Sequence, residues 1–153
     1  MQSQLDKPAV EQAGLYDEDF FEWTRRNAKL LRAGQFKQAD VEHIAEEIED
    51  MGNRDLRALD SRIEVLIAHL LKWQRQPEKR SASWLNTVSV QRASVARLLK
   101  RYPSLRRKIE PELAGNYEFA VRRAAIDTGL PKNHFPAECP FTVEQILDPE
   151  FLP

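Results

Sequence analysis

The sequence has a single cysteine, Cys139, and no long apolar run. One cysteine excludes an internal disulfide and a metal site built from several cysteines. The thiol follows Glu138, and because nearby negative charge raises the pKa of a thiol, we do not expect Cys139 to act as a nucleophile. The longest uncharged apolar stretch, residues 65–71, is too short to cross a bilayer. Residues 1–15 lack the apolar core of a signal peptide, so we expect a cytoplasmic protein with no membrane partner.

The usual sequence patterns of enzyme and metal sites are missing as well. We find no Ser-His-Asp, glycine-rich phosphate-binding or zinc-finger pattern. The three histidines are His43, His69 and His134, and none lies three residues after a glutamate, the spacing that di-iron bundles use. The carboxylates around His43 fit a solvated acidic face better than a metal site; they are Glu42, Glu46, Glu47, Glu49 and Asp50. The sequence therefore predicts no metal and no cofactor.

No segment alternates strictly enough to predict a strand, whereas one stretch has a pronounced helical period. Between residues 39 and 76 apolar side chains recur every three or four positions, apart from one double step. They are Val41, Ile44, Ile48, Met51, Leu59, Ile63, Leu66, Leu70 and Trp73. No proline interrupts this stretch until Pro77, so we predict one helix over 39–76, although Gly52 near its middle costs about 1 kcal/mol relative to alanine. Since so long a helix cannot bury its own apolar face, we expect other helices to pack on it.

Shorter helical patterns flank the long helix. We predict helices at about 16–33, 84–101 and 111–128, a helical turn at 105–110 and a last short helix at 143–147. Helix-end signals support these bounds: a cap at Asp17–Asp19, Gly34, Ser81 or Ser83, Tyr102-Pro103, Gly129 and the Thr142/Gln145 capping box. The sequence predicts a flexible segment at 1–15 and one all-α domain at 16–153. That domain is a bundle of about four main helices organised on the long helix.

The near-neutral net charge of −1 conceals a strong segregation of charge along the chain. Residues 1–64 carry 15 acidic and 9 basic side chains, a net charge of −6. Residues 65–108 carry 11 basic and 1 acidic side chain, a net charge of +10. Residues 109–153 carry 3 basic and 8 acidic side chains, a net charge of −5. A basic middle with two acidic flanks indicates either a binding surface or internal neutralisation.

The basic middle is the first candidate site. The residues that we expect to contact a nucleic acid or a partner are Arg97, Lys100, Arg101, Arg106 and Arg107. The basic middle also contains the aromatic residues Trp73, Trp84 and Tyr102. Basic side chains interleaved with aromatic rings suit a phosphate backbone and stacked bases. The alternatives are docking to an acidic protein and neutralisation by acidic segments of the same fold. Pairing of these cations with Glu112, Glu118 or the acidic first helix would exclude the binding hypothesis.

The second candidate site is a row of polar residues on the long helix. Asp55, Arg62, His69 and Gln76 lie seven residues apart, and such positions drift by only about 20° around a helix. One interpretation is an internal hydrogen-bond ladder, because charges at the edge of an apolar face must be paired. The other is a pocket in which His69 acts as general base or ligand, oriented by Asp55 or Glu47.

Several blocks of the sequence, in the same order, resemble one known family. The blocks are 16–23 (YDEDFFEW), 30–34 (LLRAG), 45–52 (AEEIEDMG), 69–73 (HLLKW), 76–77 (QP), 83–84 (SW), 103–105 (PSL) and 135–140 (FPAECP). They resemble the DUF29 family over about residues 16–153. The resemblance implies an all-helical bacterial domain of unknown function, so no catalytic residue is carried over from it. His43 occupies a position where the family pattern leads us to expect asparagine.

The sequence therefore favours an all-α bundle that works as a non-catalytic interaction module, binding protein or nucleic acid through its basic middle. A homo-oligomer is a further open alternative for the partner. The competing hypothesis is an acid/base or metal-assisted hydrolase with its site in the bundle around Glu47, His69 and Lys72, and with Asp55 as a fourth candidate. This enzyme requires a carboxylate within hydrogen-bond reach of His69.

Overall fold

The computed structural model describes residues 7–153, with side chains from Ala13 onward, and these residues contain helices and no strand. Six α-helices follow one another: α1 (Lys7–Glu18), α2 (Phe20–Arg32), α3 (Val41–Arg75), α4 (Ala82–Arg101), α5 (Ile109–Thr128) and α6 (Val143–Leu147). Short 3₁₀ segments lie at Phe36–Gln38, Pro77–Lys79, Pro103–Lys108 and Lys132–His134. The predicted all-α class is confirmed.

The long helix is observed as α3, which has 35 residues. At 1.5 Å per residue it is about 52 Å long. Asp40 precedes it and its side chain accepts a hydrogen bond from the backbone N–H of His43 at 3.5 Å, as an N-cap does. Pro77 follows in the next 3₁₀ segment, where its missing N–H does no harm to the helix. The prediction of one continuous helix is confirmed.

The predicted start of the helix over 16–33 is wrong, because Asp19 separates two helices, α1 and α2. The Asp19 backbone is not helical (φ −149°, ψ 84°), and its carboxylate accepts a hydrogen bond from the N–H of Glu22 at 3.0 Å. Asp19 therefore caps α2, whereas Tyr16 belongs to the end of the preceding helix. That helix, α1, begins at Lys7, inside the segment 1–15 that the sequence predicted to be flexible. Residues 1–6 of that segment lie outside the described residues.

The ends of the remaining helices follow the local signals in the sequence. Ser81 caps α4 through its hydroxyl, and Thr142 and Gln145 form the predicted capping box of α6. Gly129 ends α5 in the left-handed conformation, with φ of 72°, which glycine adopts at little cost. Helix α5 begins at Ile109, so Pro111 lies in its first turn, where proline is tolerated.

The chain divides into two compact units, of which the second comprises Arg54–Pro153. The core of this unit is built on the C-terminal part of α3. Six apolar side chains there are fully buried: Leu59, Ile63, Leu66, Ile67, Leu70 and Leu71. The other core residues come from α4, α5, α6 and the loop before α6; they are Val88, Val95, Ile109, Tyr117, Ala120, Ala124, Phe135, Phe141, Val143 and Ile146. In this unit, the helices that follow α3 therefore bury its apolar face, as predicted.

The first unit ends at Asn53 and has a much smaller core. The buried residues among those described there are Trp23, Asn27, Ala39 and Asp40. In this part of α3 the apolar face is left open, since Val41, Ile48 and Met51 are 55%, 63% and 61% exposed. The expected packing of other helices on α3 is therefore observed in the second unit, whereas these three residues of the first unit remain exposed. Helical spacing shows that one face is apolar, but it does not show what covers that face.

Arg92 belongs to the basic middle in sequence, yet its side chain is buried in the second unit. Its guanidinium donates hydrogen bonds to the carbonyl oxygens of Ile146 at 2.9 Å, Gln145 at 3.2 Å and Pro149 at 3.5 Å. Carbonyls at a helix C-terminus have no partner within the helix, and Arg92 supplies one for α6. Burial lowers the pKa of this guanidinium, although an arginine stays charged at neutral pH.

We predict that Arg92→Met lowers the free energy of unfolding by about 2 to 3 kcal/mol, because buried carbonyl oxygens lose a charged donor. Urea denaturation measures this loss. The matched control is Arg97→Met, the same substitution at an exposed position of the same helix, which should change stability by no more than about 0.5 kcal/mol. Equal losses in the two variants would contradict the role given to Arg92.

Candidate functional site

Two of the predicted catalytic residues lie in the second unit with partners of their own. The ammonium group of Lys72 is 3.1 Å from Asp127 Oδ2 and 4.8 Å from the ring centroid of Trp84. Lys72 is buried, and a buried lysine is stable only when it is paired, so this pair explains its position. It also means that the amine is already engaged by a carboxylate and an aromatic face.

His69 bonds to the backbone of its own helix. Its Nδ1 donates to the carbonyl oxygen of Val65 at 2.9 Å, which fixes the tautomer and leaves Nε2 as the free nitrogen. Burial lowers the pKa of His69, so the ring is neutral near pH 7. In the described part of the chain, the carboxylate that the enzyme hypothesis requires at hydrogen-bond distance is not among the partners of His69.

Of the other members of the polar row, Arg62 has a hydrogen-bond partner on another helix. Arg62 donates to Gln91 Oε1 on α4 at 3.3 Å, Gln76 is buried and Asp55 is half-buried. Glu47 belongs to the first unit, where it accepts a hydrogen bond from the Tyr16 hydroxyl at 2.6 Å. Across residues 13–153 no hydrogen bond joins two members of the row, so neither a ladder nor a catalytic set is assembled through direct contacts. The enzyme hypothesis stays a prediction.

Possible metal ligands and the thiol of Cys139 are the remaining candidates for a chemical site. Among the residues with described positions, no three His, Cys, Asp or Glu side chains come together to hold a metal ion. Cys139 is half-buried and its Sγ lies 3.4 Å from the carbonyl oxygen of Phe141. Burial raises the pKa of this thiol, so the predicted direction is right although its cause is desolvation rather than Glu138.

The predicted basic residues lie at the end of α4 and in the 3₁₀ segment that follows it. We call this the basic surface; it comprises Arg97, Lys100, Arg101, Arg106, Arg107 and Lys108. Arg97, Lys100 and Arg101 are spaced i, i+3 and i+4, so they project from one side of α4, and all three are exposed. Arg97 also donates to the hydroxyl of Ser94 at 3.1 Å, which limits its freedom.

Only one member of the basic surface is neutralised by a described carboxylate. Arg106 pairs with Glu144 at 3.1 Å, and both side chains are exposed, at 43% and 75%, so the pair contributes little to stability. Glu118, which was expected to neutralise the basic middle if that middle were internal, pairs with Arg122 instead. The other five cations have no ion-pair partner among the residues that the structure describes.

The aromatic rings of the basic middle are already in contact with cations of the chain. The guanidinium of Arg80 lies 4.8 Å from the Trp73 centroid, that of Arg101 lies 5.1 Å from the Tyr102 centroid, and Lys72 covers Trp84. Each ring therefore has one face occupied. This arrangement favours contacts to phosphates over stacking of bases.

A cluster that the sequence did not reveal lies in the first unit. Asp40 accepts a hydrogen bond from the indole N–H of Trp23 at 3.0 Å and from Nδ1 of His43 at 2.6 Å. The Tyr16 ring stacks on the His43 ring with centroids 4.0 Å apart and planes 13° apart. The Tyr16 hydroxyl donates to Glu47. We call Tyr16, Trp23, Asp40, His43 and Glu47 the imidazole cluster.

Hydrogen bonds to carboxylates set the titration of the imidazole cluster. The bond to Asp40 raises the pKa of His43, against the opposing effect of desolvation. The bond to Glu47 raises the pKa of Tyr16 to about 12, so its hydroxyl stays protonated. Asn27 fixes the backbone of Asp40, because its Oδ1 accepts a hydrogen bond from the Asp40 backbone N–H at 2.8 Å.

Sequence signals pointed to parts of this cluster but not to the whole. An aspartate directly before an apolar helical pattern, as Asp40 is, is a typical helix cap, and a tryptophan such as Trp23 is typically buried. Nothing in the sequence indicated that Tyr16 would reach His43 and Glu47, because contacts between separate helices leave no periodic signal. The cluster contains no nucleophile beside a base, so its evident role is to join α1 and α2 to the start of α3.

We predict that His43 stabilises the protein most at low pH. Its pKa in the folded state lies above the unfolded value of about 6.5, so its contribution is fully present below that value. The contribution is lost as the pH rises through the folded pKa. The difference in urea midpoint between the unsubstituted protein and His43→Gln should therefore fall between about pH 5 and about pH 9. His134→Gln, at an exposed histidine, is the control; a His43 difference that stays constant or grows with pH would contradict this.

Comparison with known families identifies a match over most of the chain. The model of a family described as Domain of unknown function DUF29 matches residues 15–152, nearly the whole chain. No curated protein and no solved structure matches the chain. Within residues 7–153 no helix is both long and apolar enough to cross a membrane. The match agrees in extent with the resemblance seen in the sequence blocks, and the chain belongs to the DUF29 family.

Proposed function

We propose that this protein is a non-catalytic module that binds nucleic acid through its basic surface. One observation carries the proposal: residues 79–109 contain nine basic side chains and no aspartate or glutamate. A stretch of that composition has a positive potential that attracts polyanions. Arg92 is used internally and Arg106 is paired with Glu144, which leaves most of the other cations of this stretch for a ligand.

The geometry of the basic surface suits a phosphate backbone. Arg97, Lys100 and Arg101 follow one side of α4, and the exposed Arg107 and Lys108 lie in the 3₁₀ segment after the helix. Lysine and arginine donate charge-assisted hydrogen bonds to phosphate oxygens whatever the base sequence is. Because the nearby rings already contact cations, we expect binding that depends on charge and only weakly on sequence.

An acidic protein partner is less well supported by the same residues. Protein interfaces need aromatic or apolar anchors at their centre. Among the described residues, the exposed large apolar side chains nearest in sequence to the basic surface are Val90 and Phe119, and none occurs between them. A surface of cations without such an anchor favours a polyanion.

We predict that the triple variant Arg97→Ala/Lys100→Ala/Arg101→Ala loses most of the affinity for nucleic acid. Fluorescence anisotropy with labelled random-sequence oligonucleotides, single- and double-stranded, should show tightest binding at about 50 mM salt and a steep loss by about 200 mM. Each lost phosphate contact lowers the slope of log K against log salt by about 1, so the triple variant should lower it by about 2 to 3.

The matched control is Lys37→Ala/Arg54→Ala/Arg57→Ala, which removes the same charge from exposed positions outside the basic surface. It should bind with nearly unchanged affinity. The proposal is overturned if the unsubstituted protein binds neither oligonucleotide at low salt, or if the two triple variants lose affinity equally.

A further inference from the structure

Among the residues whose side chains the structure describes, 13–153, an apolar face along the first turns of α3 is largely exposed. Val41, Ile44, Ile48 and Met51 are spaced three, four and three residues apart, which places them on one side of the helix. Val41, Ile48 and Met51 are more than half exposed, and Ile44 is partly exposed. We call these four residues the α3 stripe. Single exposed apolar residues are ordinary, but a contiguous set at helical spacing marks an interaction site.

The chain of the first unit uses a different side of α3. His43 and Glu47 contact Tyr16 of α1, and Asp40 contacts Trp23 of α2. At 100° per residue, His43 lies roughly 120° and Glu47 roughly 80° around the helix from the centre of the α3 stripe. Among residues 13–153, the packing that joins α1 and α2 to α3 therefore leaves most of the stripe exposed.

The α3 stripe has an acidic border and small residues at one edge. Residues 40–53 contain six carboxylates and no lysine or arginine. Ala45 and Gly52 lie at one edge of the stripe, and the exposed Glu42 and Glu49 lie on the same side, roughly 40 to 80° further around the helix. A side chain added at Gly52 would meet nothing within 4 Å, so another backbone can come close at this edge.

We propose that the α3 stripe is a docking surface for a basic amphipathic helix of another protein. The occupant presents apolar residues at three- and four-residue spacing and lysine or arginine beside them. Its apolar residues pack on Val41, Ile44, Ile48 and Met51, and its cations meet Glu42 and Glu49. This is recognition of a helix by its apolar face, with specificity set by the charges on either side.

The negative charge near the α3 stripe favours a basic helix over a second copy of the same surface as the occupant. Pairing two stripes would bring Glu42 and Glu49 of each copy towards those of the other without a compensating cation from residues 40–53. Like charges that face one another across an interface oppose association. Four apolar residues also cover far less than the roughly 800 Å² that each partner contributes to a standard interface, which fits one helix better than a folded subunit.

The test is direct binding of designed peptides to the full chain. The probe is a labelled peptide of about three heptads with Leu at positions a and d and Lys at e and g, and its counterpart carries Glu at e and g. We expect fluorescence anisotropy to show that the lysine peptide binds at least about tenfold more tightly than the glutamate peptide. Glu42→Gln/Glu49→Gln should reduce this preference and its dependence on salt.

The decisive variant is Ile48→Ser/Met51→Ser, which should weaken binding of the lysine peptide by at least about tenfold. Both residues are exposed, so the variant should fold normally, as circular dichroism would show. Phe119→Ser/Ile126→Ser removes a comparable exposed apolar pair of α5 and should bind as the unsubstituted protein does.

Four results would overturn the proposal. Failure of the lysine peptide to bind, or equal binding of the two peptides, would exclude a basic amphipathic helix as occupant. Unchanged binding by Ile48→Ser/Met51→Ser would place the peptide elsewhere. A dimer in analytical ultracentrifugation that this variant abolishes would show that a second copy occupies the stripe.

Discussion

The apolar face of α3 is the constraint on which the second unit depends. Its backbone hydrogen bonds are satisfied within the helix, but a helix in water is stable only if other elements cover its apolar side. Leu59, Ile63 and Leu66 are fully buried, and each such side chain contributes about 1.5 to 3 kcal/mol on burial. Helices α4, α5 and α6 carry the complementary apolar residues, and they enclose this part of α3. The fold of the second unit follows from covering one helix.

A second physical rule distinguishes charged residues that are buried and paired inside the protein from charged residues that remain exposed to solvent. A buried charge must be paired, and the buried cations here obey this: Lys72 meets Asp127, and Arg92 meets the carbonyls at the end of α6. Asp40 obeys it in the first unit through Trp23 and His43. The exposed cations at the end of α4 do not need an internal partner, because water solvates their charge. The basic surface therefore consists of cations that remain exposed once the internal pairs of the basic middle are assigned, and this is the reason for proposing that it binds a polyanion.

The two units present opposite chemistry to their surroundings. The described surface of the first unit includes an apolar stripe with acidic residues close to it in sequence, whereas the second carries exposed cations on α4 and in the segment that follows it. We propose that the stripe selects a partner by packing and by the sign of its charge. We propose that the cations select a partner by charge alone.

Local signals in the sequence determined much of this protein. The period of apolar residues defined α3, and Ser81, Gly129 and the Thr142/Gln145 box defined helix ends, because caps and periodicity act within a few residues. The same locality explains the error at Asp19, where Asp17, Glu18 and Asp19 could each have begun a helix and only the fold selected one. The charge blocks located the basic surface, but only the structure showed that Arg92 is internal and Arg97 exposed. The imidazole cluster and the open side of α3 likewise depended on tertiary packing, since which helix meets which side is decided by contacts between residues far apart in the chain.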